Sequence, residues 1–230
     1  MAEGWSVQID AYCERVGFGF WAEPLNAVTN AAFLIAAAVA GWALYRRGRL
    51  EPGSSVLLAL LVAIGVGSFL FHTVATRWAA LADTLPIGLF IVAYLMLTLQ
   101  RGFRLGWGIA IPAGIAFVPL AGALGYGIAF WTGGLFGGSS AYMPALLVLV
   151  VCALLLLRIH PGVARNLLIA AGLFVASLTF RTLDAPLCGS VPFGTHFMWH
   201  VLNATLLGLL IWTMGQMTAE PGDRRRSHSA

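Results

Sequence analysis

The sequence contains no lysine and little charge of either sign. Charged residues make up 10% of the 230 residues and hydrophobic residues 60%, whereas about a quarter of an average soluble domain is charged. So little charge excludes an ordinary water-exposed domain. All 13 basic residues are arginines, and they lie beside the apolar runs rather than in one patch. The positions of the arginines therefore indicate membrane topology and do not indicate a nucleic-acid partner.

The sequence consists mainly of long apolar runs. Several of them approach or exceed the roughly 18 residues that a helix needs to cross a bilayer. The runs are continuous rather than alternating, which is typical of helices and not of a β-barrel. We predict an all-α integral membrane protein with seven transmembrane helices. The predicted spans cover about residues 25–45, 54–74, 81–99, 105–131, 141–157, 163–180 and 194–217.

The chain is predicted to divide into an extracytoplasmic N-terminal arm of residues 1–24, a seven-helix domain of residues 25–217 and a disordered cytoplasmic tail of residues 218–230. Arginine counts predict this orientation, because cytoplasmic loops are enriched in arginine. The tail and the loops after spans one, three and five hold ten arginines, whereas the arm and the other loops hold three. Seven spans put the two ends on opposite sides, so we predict the N-terminus outside and the C-terminus in the cytoplasm.

Histidines at membrane depth indicate a metal site. His196 and His200 stand four residues apart in the seventh span, so a helix presents both imidazoles on one face. His72 ends the second span, and Asp83 begins the third on the same outer side. A packed histidine that hydrogen-bonds a neighbouring helix is the alternative for any one of them. Three together predict a zinc site with an open fourth position, the arrangement of catalytic zinc.

Asp83 and Ser68 are the candidate catalytic residues beside these histidines. Asp83 has three possible roles: a metal ligand, a residue that orients a ligand, or the base that takes a proton from zinc-bound water. Ser68 lies four residues before His72 on the same helical face, where its hydroxyl could donate a hydrogen bond to a developing oxyanion. A small residue that eases helix packing is the other interpretation of Ser68.

Two of the three cysteines, Cys13 and Cys188, fall on the predicted outer side. An oxidising compartment permits a disulfide there, which would link the arm covalently to the helix ends. Cys152 lies in the middle of an aliphatic run, where a cysteine packs as a small hydrophobic residue.

Six short motifs are spread over nearly the whole chain. They are Cys13-Glu14, Glu23-Pro-Leu-Asn26-Ala-Val-Thr-Asn30, Gly67-Ser68-Phe-Leu-Phe71-His72, Asp83-Thr-Leu-Pro86, Asp184 with Cys188, and His196-Phe-Met-Trp199-His200. The set resembles the alkaline ceramidase family, seven-span membrane hydrolases of the ceramidase and adiponectin-receptor-like superfamily. This resemblance implies zinc held by the three histidines, catalytic support from Ser68 and Asp83, hydrolysis of a lipid amide by zinc-activated water, and a Cys13–Cys188 disulfide.

Family members with a calcium site bind it through the N-terminal arm, which the resemblance maps onto Asp10, Glu14 and Glu23. The arm departs from that pattern, because Asp10 lies one residue further from the cysteine and Arg15 adds a positive charge. Calcium takes six to eight oxygen ligands, and this arm offers few. Pairing of Arg15 with one of the carboxylates, in a purely structural arm, is therefore the alternative to a Ca2+ site.

The leading hypothesis is a zinc-dependent intramembrane amidohydrolase that acts on linear amides. Its substrate would be ceramide or a ceramide-like N-acyl lipid of the bilayer, cleaved to a free fatty acid and a sphingoid-type amine. The alternatives are a seven-span lipid-binding receptor or scaffold with a structural metal, and a bis-histidine haem protein. The absence of lysine and the arginine-rich tail favour a bacterial member from a GC-rich genome, in which the chain would be a multi-pass protein of the inner (cell) membrane.

Overall fold

The computed structural model describes residues 2–217 and folds them into helices. Seven continuous helical stretches, some of which join two of the helices or turns below, are long and apolar enough to cross a membrane: Pro24–Arg46, Pro52–Val74, Arg77–Gly102, Trp107–Trp131, Gly137–Leu156, Pro161–Leu187 and His196–Met217. The seven-helix prediction is therefore confirmed. The helices are α1 (Ala2–Trp5), α2 (Pro24–Thr29), α3 (Ala31–Arg46), α4 (Pro52–Val74), α5 (Arg77–Leu97), α6 (Trp107–Trp131), α7 (Met143–Leu156), α8 (Pro161–Leu187) and α9 (His196–Met217). The predicted tail, residues 218–230, lies outside the described residues.

The helices pack mostly against their neighbours in sequence. The most extensive contacts are those of α4 with α5 and of α8 with α9, followed by α3 with α9 and α7 with α8. Because α3 packs on both α4 and α9, it brings the first and the last spans together. Large apolar side chains fill the interior, but many others face outward. An apolar exterior suits lipid rather than water, so packing between small residues and van der Waals contact must hold the helices together.

The first span is interrupted at Asn30, where α2 ends and α3 begins. The N-terminus of α2 leaves backbone N–H groups without helical partners. The Glu14 carboxylate of the arm accepts two of them, from Leu25 at 2.6 Å and from Asn26 at 2.7 Å. The arm is thus attached to the start of the first span through the charge that a helix N-terminus favours.

Helices α4 and α5 touch backbone to backbone at Gly67. A Cβ at Gly67 would clash with the Ala82 carbonyl and would lie 3.1 Å from the Asp83 amide nitrogen. Only a glycine permits this approach. The close contact sets the next residue on α4, Ser68, beside Asp83 on α5.

The structure corrects the end of the sixth span. We predicted that the span stops near residue 180 and that Arg181 and Asp184 lie in a loop, but α8 continues to Leu187. The charged side chains end the apolar run without ending the helix, because the backbone hydrogen bonds of a helix do not depend on side-chain polarity. Both residues therefore project from a helix. The predicted fourth span, residues 105–131, is by contrast a single helix, α6, despite Pro112 and Pro119.

The N-terminal arm covers one end of the bundle, which we call the arm end. It is attached there by a hydrogen bond from the Ile9 N–H to the Ala75 carbonyl at 2.7 Å and by an isolated bridge between Gln8 and Thr76. The Cys13–Cys188 disulfide is present and joins the arm to the end of α8, with the two Cα atoms 5.3 Å apart. Cys152 is free and buried, as expected.

Candidate metal centre and active site

Three buried histidines converge beneath the arm. His72 lies in the last turn of α4, His196 opens α9, and His200 lies one turn further along α9. One ring nitrogen of each lies within 4.8 Å of the others. The ring centroid of His200 lies 4.7 Å from that of His72 and also 4.7 Å from that of His196. The second and last spans therefore present one shared set of nitrogen ligands.

His72 is oriented by a carboxylate of the arm. Its Nδ1–H donates to Glu23 Oε2 at 2.5 Å, which leaves the lone pair of Nε2 for another partner. Glu23 in turn pairs with Arg15 through its other oxygen and accepts a hydrogen bond from the Asn26 side chain at 3.0 Å. Arg15 also donates to the His72 carbonyl at 3.0 Å. The histidine is thus held at both its ring and its backbone.

The Glu23 carboxylate stays charged in this setting. Burial raises its pKa, but the hydrogen bond and charge of His72, the hydrogen bond from Asn26 and the charge of Arg15 outweigh burial, so the pKa falls below its usual value. A charged carboxylate behind a metal-binding histidine fixes the tautomer and increases the basicity of the free nitrogen.

His200 is oriented from the first span. The Thr29 hydroxyl donates to the Leu25 carbonyl at 2.8 Å, so its oxygen accepts from His200 Nδ1 at 2.9 Å. This assigns the proton of His200 to Nδ1 and leaves Nε2 unprotonated.

His196 is held through its backbone and its ring face. Asp184 accepts hydrogen bonds from the N–H groups of Thr195 at 2.7 Å and His196 at 2.9 Å, and so caps the start of α9. Its second oxygen accepts from the Cys13 N–H at 3.0 Å. The Tyr12 ring stacks on the His196 imidazole at a centroid distance of 3.6 Å. The arm therefore contacts two of the three histidines.

The three histidines fit a divalent metal ion. Within residues 2–217, His72 Nε2, His196 Nδ1 and His200 Nε2 are buried and have no hydrogen-bond partner. A buried polar atom left unsatisfied costs about 1–3 kcal/mol, so three in one cluster indicate an intended partner. Neutral imidazoles with converging lone pairs are the ligands of three-histidine zinc sites, which keep a fourth position for water or substrate.

Ser68 and Asp83 lie next to this cluster. Ser68 is buried one turn before His72 on α4, and its hydroxyl is within hydrogen-bonding reach of the Asp83 carboxylate across the Gly67 contact. Asp83 also lies within electrostatic range of His72. The two predicted catalytic residues are therefore neighbours on the side of α4 that carries the histidine.

The acidic residues predicted for calcium do not form a metal-binding cluster in the part of the chain that the structure describes. Glu14 is bound to the N-terminus of α2, Glu23 is bound to Arg15 and His72, and Asp10 is exposed. The alternative pairing of Arg15 with a carboxylate is the one present. The calcium site stays a prediction, and its acidic groups already have other partners.

An apolar cavity of about 80 Å³ adjoins the histidines. Phe33, Tyr142 and Trp199 line it. The Phe33 ring lies 6.2 Å from the His200 ring, and the Trp199 ring lies 6.4 Å from that of His196. The cavity lies between the helices next to these two residues, and its lining is almost wholly apolar, which suits a short piece of hydrocarbon.

Sequence reasoning did not predict that four residues orient the histidines: Thr29, Tyr12, Asp184 and Glu23, the last as the partner of His72. Glu23, Thr29 and Tyr12 act on histidines far away in the chain, and Asp184 acts on His196 across a loop, so spacing gives no signal of the pairing. The Glu23, Thr29 and Asp184 positions fall within the motifs quoted above, which was the one available indication that they matter.

The fold and the site together define a class: a seven-helix membrane protein with a buried three-histidine cluster able to hold a metal ion. A family model described as Ceramidase matches residues 9–227. The chain therefore belongs to the ceramidase family, and the resemblance inferred from the motifs is confirmed. Comparison with curated proteins finds no match. Family membership supports a role in ceramide hydrolysis, which is cleavage of an amide in a lipid substrate.

Proposed function

We propose that the protein is a zinc-dependent intramembrane amidohydrolase that cleaves the N-acyl amide of ceramide or a ceramide-like lipid. The observation that carries this proposal is the set of three buried, unpaired histidine nitrogens beside Asp83 and Ser68. Family membership supplies the amide, and the histidine cluster supplies the reason for a metal.

His72, His196 and His200 would hold the zinc ion. When bound, zinc lowers the pKa of a coordinated water to about 7 and polarises a carbonyl group. Glu23, Thr29 and Asp184 keep the histidines in place while substrate enters, because each hydrogen-bonds a part of a histidine that faces away from the metal. Rigid ligands of this kind need no reorganisation during the reaction.

Asp83 is the proposed base and acid. Its carboxylate takes a proton from the attacking water and returns a proton to the amide nitrogen, so that the C–N bond breaks to give a fatty acid and an amine. Ser68 donates a hydrogen bond to the carbonyl oxygen as negative charge develops there. The apolar cavity beside Phe33 and Trp199 would hold a few carbons of the acyl chain and exclude water around them.

The first experiment measures zinc per chain in detergent-purified protein, with His72→Ala and His200→Ala beside wild type. We expect about one zinc per chain in wild type and its loss in both variants, because each removes one of three ligands. His160→Ala is the matched control: His160 precedes α8 at the end of the bundle away from the arm, and its replacement should leave zinc in place.

Ceramide hydrolysis is then measured on the same samples and on Asp83→Asn. Asp83→Asn should retain zinc and lose at least a hundredfold in turnover, since general acid–base groups contribute about 10²–10⁴-fold. A zinc-loaded wild type that hydrolyses no lipid amide would favour the receptor or scaffold instead. A well-folded wild type without zinc would refute the metal-dependent mechanism.

A further inference from the structure

The Tyr12 hydroxyl is a polar group at the histidine cluster that the proposed mechanism does not use. Tyr12 belongs to the arm, and its ring stacks on the His196 imidazole at a centroid distance of 3.6 Å and lies 5.3 Å from the His72 ring. The next residue fixes this position, because Cys13 forms the disulfide and donates its N–H to Asp184 at 3.0 Å. Tyr12 therefore covers the cluster from the arm side and is held there covalently.

The hydroxyl of Tyr12 lies on the side of the cluster that α5 and α8 enclose. The Arg181 guanidinium of α8 is within hydrogen-bonding reach of the phenol oxygen, and the Asp83 carboxylate of α5 is within electrostatic range of it. Arg181 and Asp83 also interact with each other, so the charge of the arginine is balanced by the carboxylate. In the proposed function the substrate amide lies between the histidines and Asp83, and the Tyr12 hydroxyl borders that space.

The proton of this hydroxyl has no acceptor within residues 2–217. An arginine side chain only donates, so Arg181 uses a lone pair of the phenol oxygen and leaves the O–H free. The Asp83 carboxylate is already within hydrogen-bonding reach of the Ser68 hydroxyl. Burial raises the pKa of the Tyr12 phenol, although the charge of Arg181 opposes this, so the O–H keeps its proton.

A free O–H at this place indicates a partner that comes from outside the chain. A phenylalanine would stack on His196 equally well, and it would avoid the cost of withdrawing a hydroxyl from water without an acceptor. The amide carbonyl oxygen of the substrate is an acceptor that must approach the histidines, and it gains negative charge during the reaction. A neutral donor held at a fixed place stabilises such charge without any rearrangement.

We propose that Tyr12 is a catalytic residue whose hydroxyl donates a hydrogen bond to the amide carbonyl oxygen as negative charge develops there. This inference rests on the proposed amidohydrolase function and adds a second donor, from the arm, to the one assigned to Ser68. It requires no charge on the lipid, and it gives the arm a part in the reaction in addition to holding the histidines.

The test is Tyr12→Phe, which removes the hydroxyl and keeps the ring on His196. Zinc per chain, thermal denaturation in detergent and steady-state hydrolysis of ceramide are measured on this variant and on wild type. We expect zinc content and melting temperature to match wild type. We expect kcat to fall about 10²–10³-fold with KM nearly unchanged, because the contact is made to the transition state and one such donor contributes this much.

Two further variants separate the hydroxyl from the ring. Tyr12→Ala removes both, so it should weaken zinc binding as well as lower kcat, because His196 loses the ring stacked on it. Tyr45→Phe is the matched control. Tyr45 is exposed near the end of α3 away from the arm, and the loss of its hydroxyl should leave zinc content, kcat and KM unchanged.

Three results would overturn the assignment and leave the amidohydrolase standing. Wild-type kcat in zinc-loaded Tyr12→Phe would show that only the ring matters. Loss of zinc in Tyr12→Phe would show that the hydroxyl supports the histidine site rather than the reaction. A raised KM with unchanged kcat would show that the hydroxyl binds another group of the lipid. A zinc-loaded wild type that hydrolyses no lipid amide refutes the proposed function itself, before any variant is compared.

Discussion

Glu23 connects the arm to the histidine cluster through a single carboxylate. One oxygen pairs with Arg15, and the other accepts the Nδ1–H of His72. The same side chain thus neutralises a buried arginine and fixes the tautomer of a ligand. Loss of its charge would leave Arg15 buried without a counter-ion as well as weakening the basicity of His72.

We predict that Glu23→Gln weakens zinc binding by about tenfold to a hundredfold, because residues that orient metal ligands typically contribute this much. A chelator competition titration on the purified protein measures the affinity directly. Glu51→Gln removes a carboxylate that pairs with Arg101 at 3.0 Å at the other end of the bundle, and it should leave zinc affinity unchanged. Equal affinities in wild type and Glu23→Gln would contradict the role assigned to Glu23.

At the residue scale the sequence predicts that the three histidines come together, but it does not predict the side chains that orient them. His196 and His200 are readable from their spacing, and His72 from its depth in an apolar run. Thr29 gives no such signal, since it meets His200 only after the first and last spans have packed together. A contact of this kind depends on tertiary geometry, which local sequence patterns do not encode.

At the scale of the helices, the close contact between α4 and α5 is what places Ser68 next to Asp83. The two backbones approach at Gly67 more closely than any side chain allows. A methyl group there has no flexible neighbour to displace, because the atoms it meets are the backbone carbonyl of Ala82 and the amide of Asp83. The helices themselves must separate.

We predict that Gly67→Ala lowers the stability of the protein by about 1–3 kcal/mol and reduces amide hydrolysis while zinc stays bound, because overpacking moves Asp83 away from Ser68. Thermal denaturation in detergent and the hydrolysis assay measure the two effects. Gly88→Ala on α5 is the control, since nothing lies within 4 Å of a Cβ added there. It should be neutral or slightly stabilising, and a similar result for Gly67→Ala would refute the packing argument.

The element boundaries show where hydropathy succeeds and where it fails. A bilayer requires a long apolar run for each crossing, so the number of spans follows from the sequence. The end of α8 does not, because Arg181 and Asp184 interrupt the apolar run while the helix continues for several residues. Asp184 is compatible with that position because three backbone N–H groups of the arm and of α9 satisfy its carboxylate.

The whole molecule concentrates its chemistry at the arm end. The histidines, Ser68, Asp83, the disulfide and Arg181 all lie there, and the other end of the bundle carries most of the arginines between spans. The orientation of the chain therefore decides which side of the membrane the site faces. The arginine distribution predicts that the arm end is outside.

We predict that a cysteine introduced at Val16, which is 86% exposed in the arm, reacts in intact cells with a membrane-impermeant thiol reagent. A cysteine at Ile159, exposed before α8 at the other end, should react only after permeabilisation. The native cysteines give a low background, because two are joined in the disulfide and Cys152 is buried. The reverse labelling pattern would place the N-terminus inside.

The three histidines come from the second and the last spans, with the arm of the first span pressed against them. During biosynthesis the ribosome delivers His72 early and His196 and His200 only with the final helix. If the three histidines hold a metal ion as proposed, a chain released before that helix has inserted offers one ligand out of three and cannot retain the ion. Metal binding would then be the last event of assembly, and a metal-loaded protein would be one in which both the second and the last spans have reached their places.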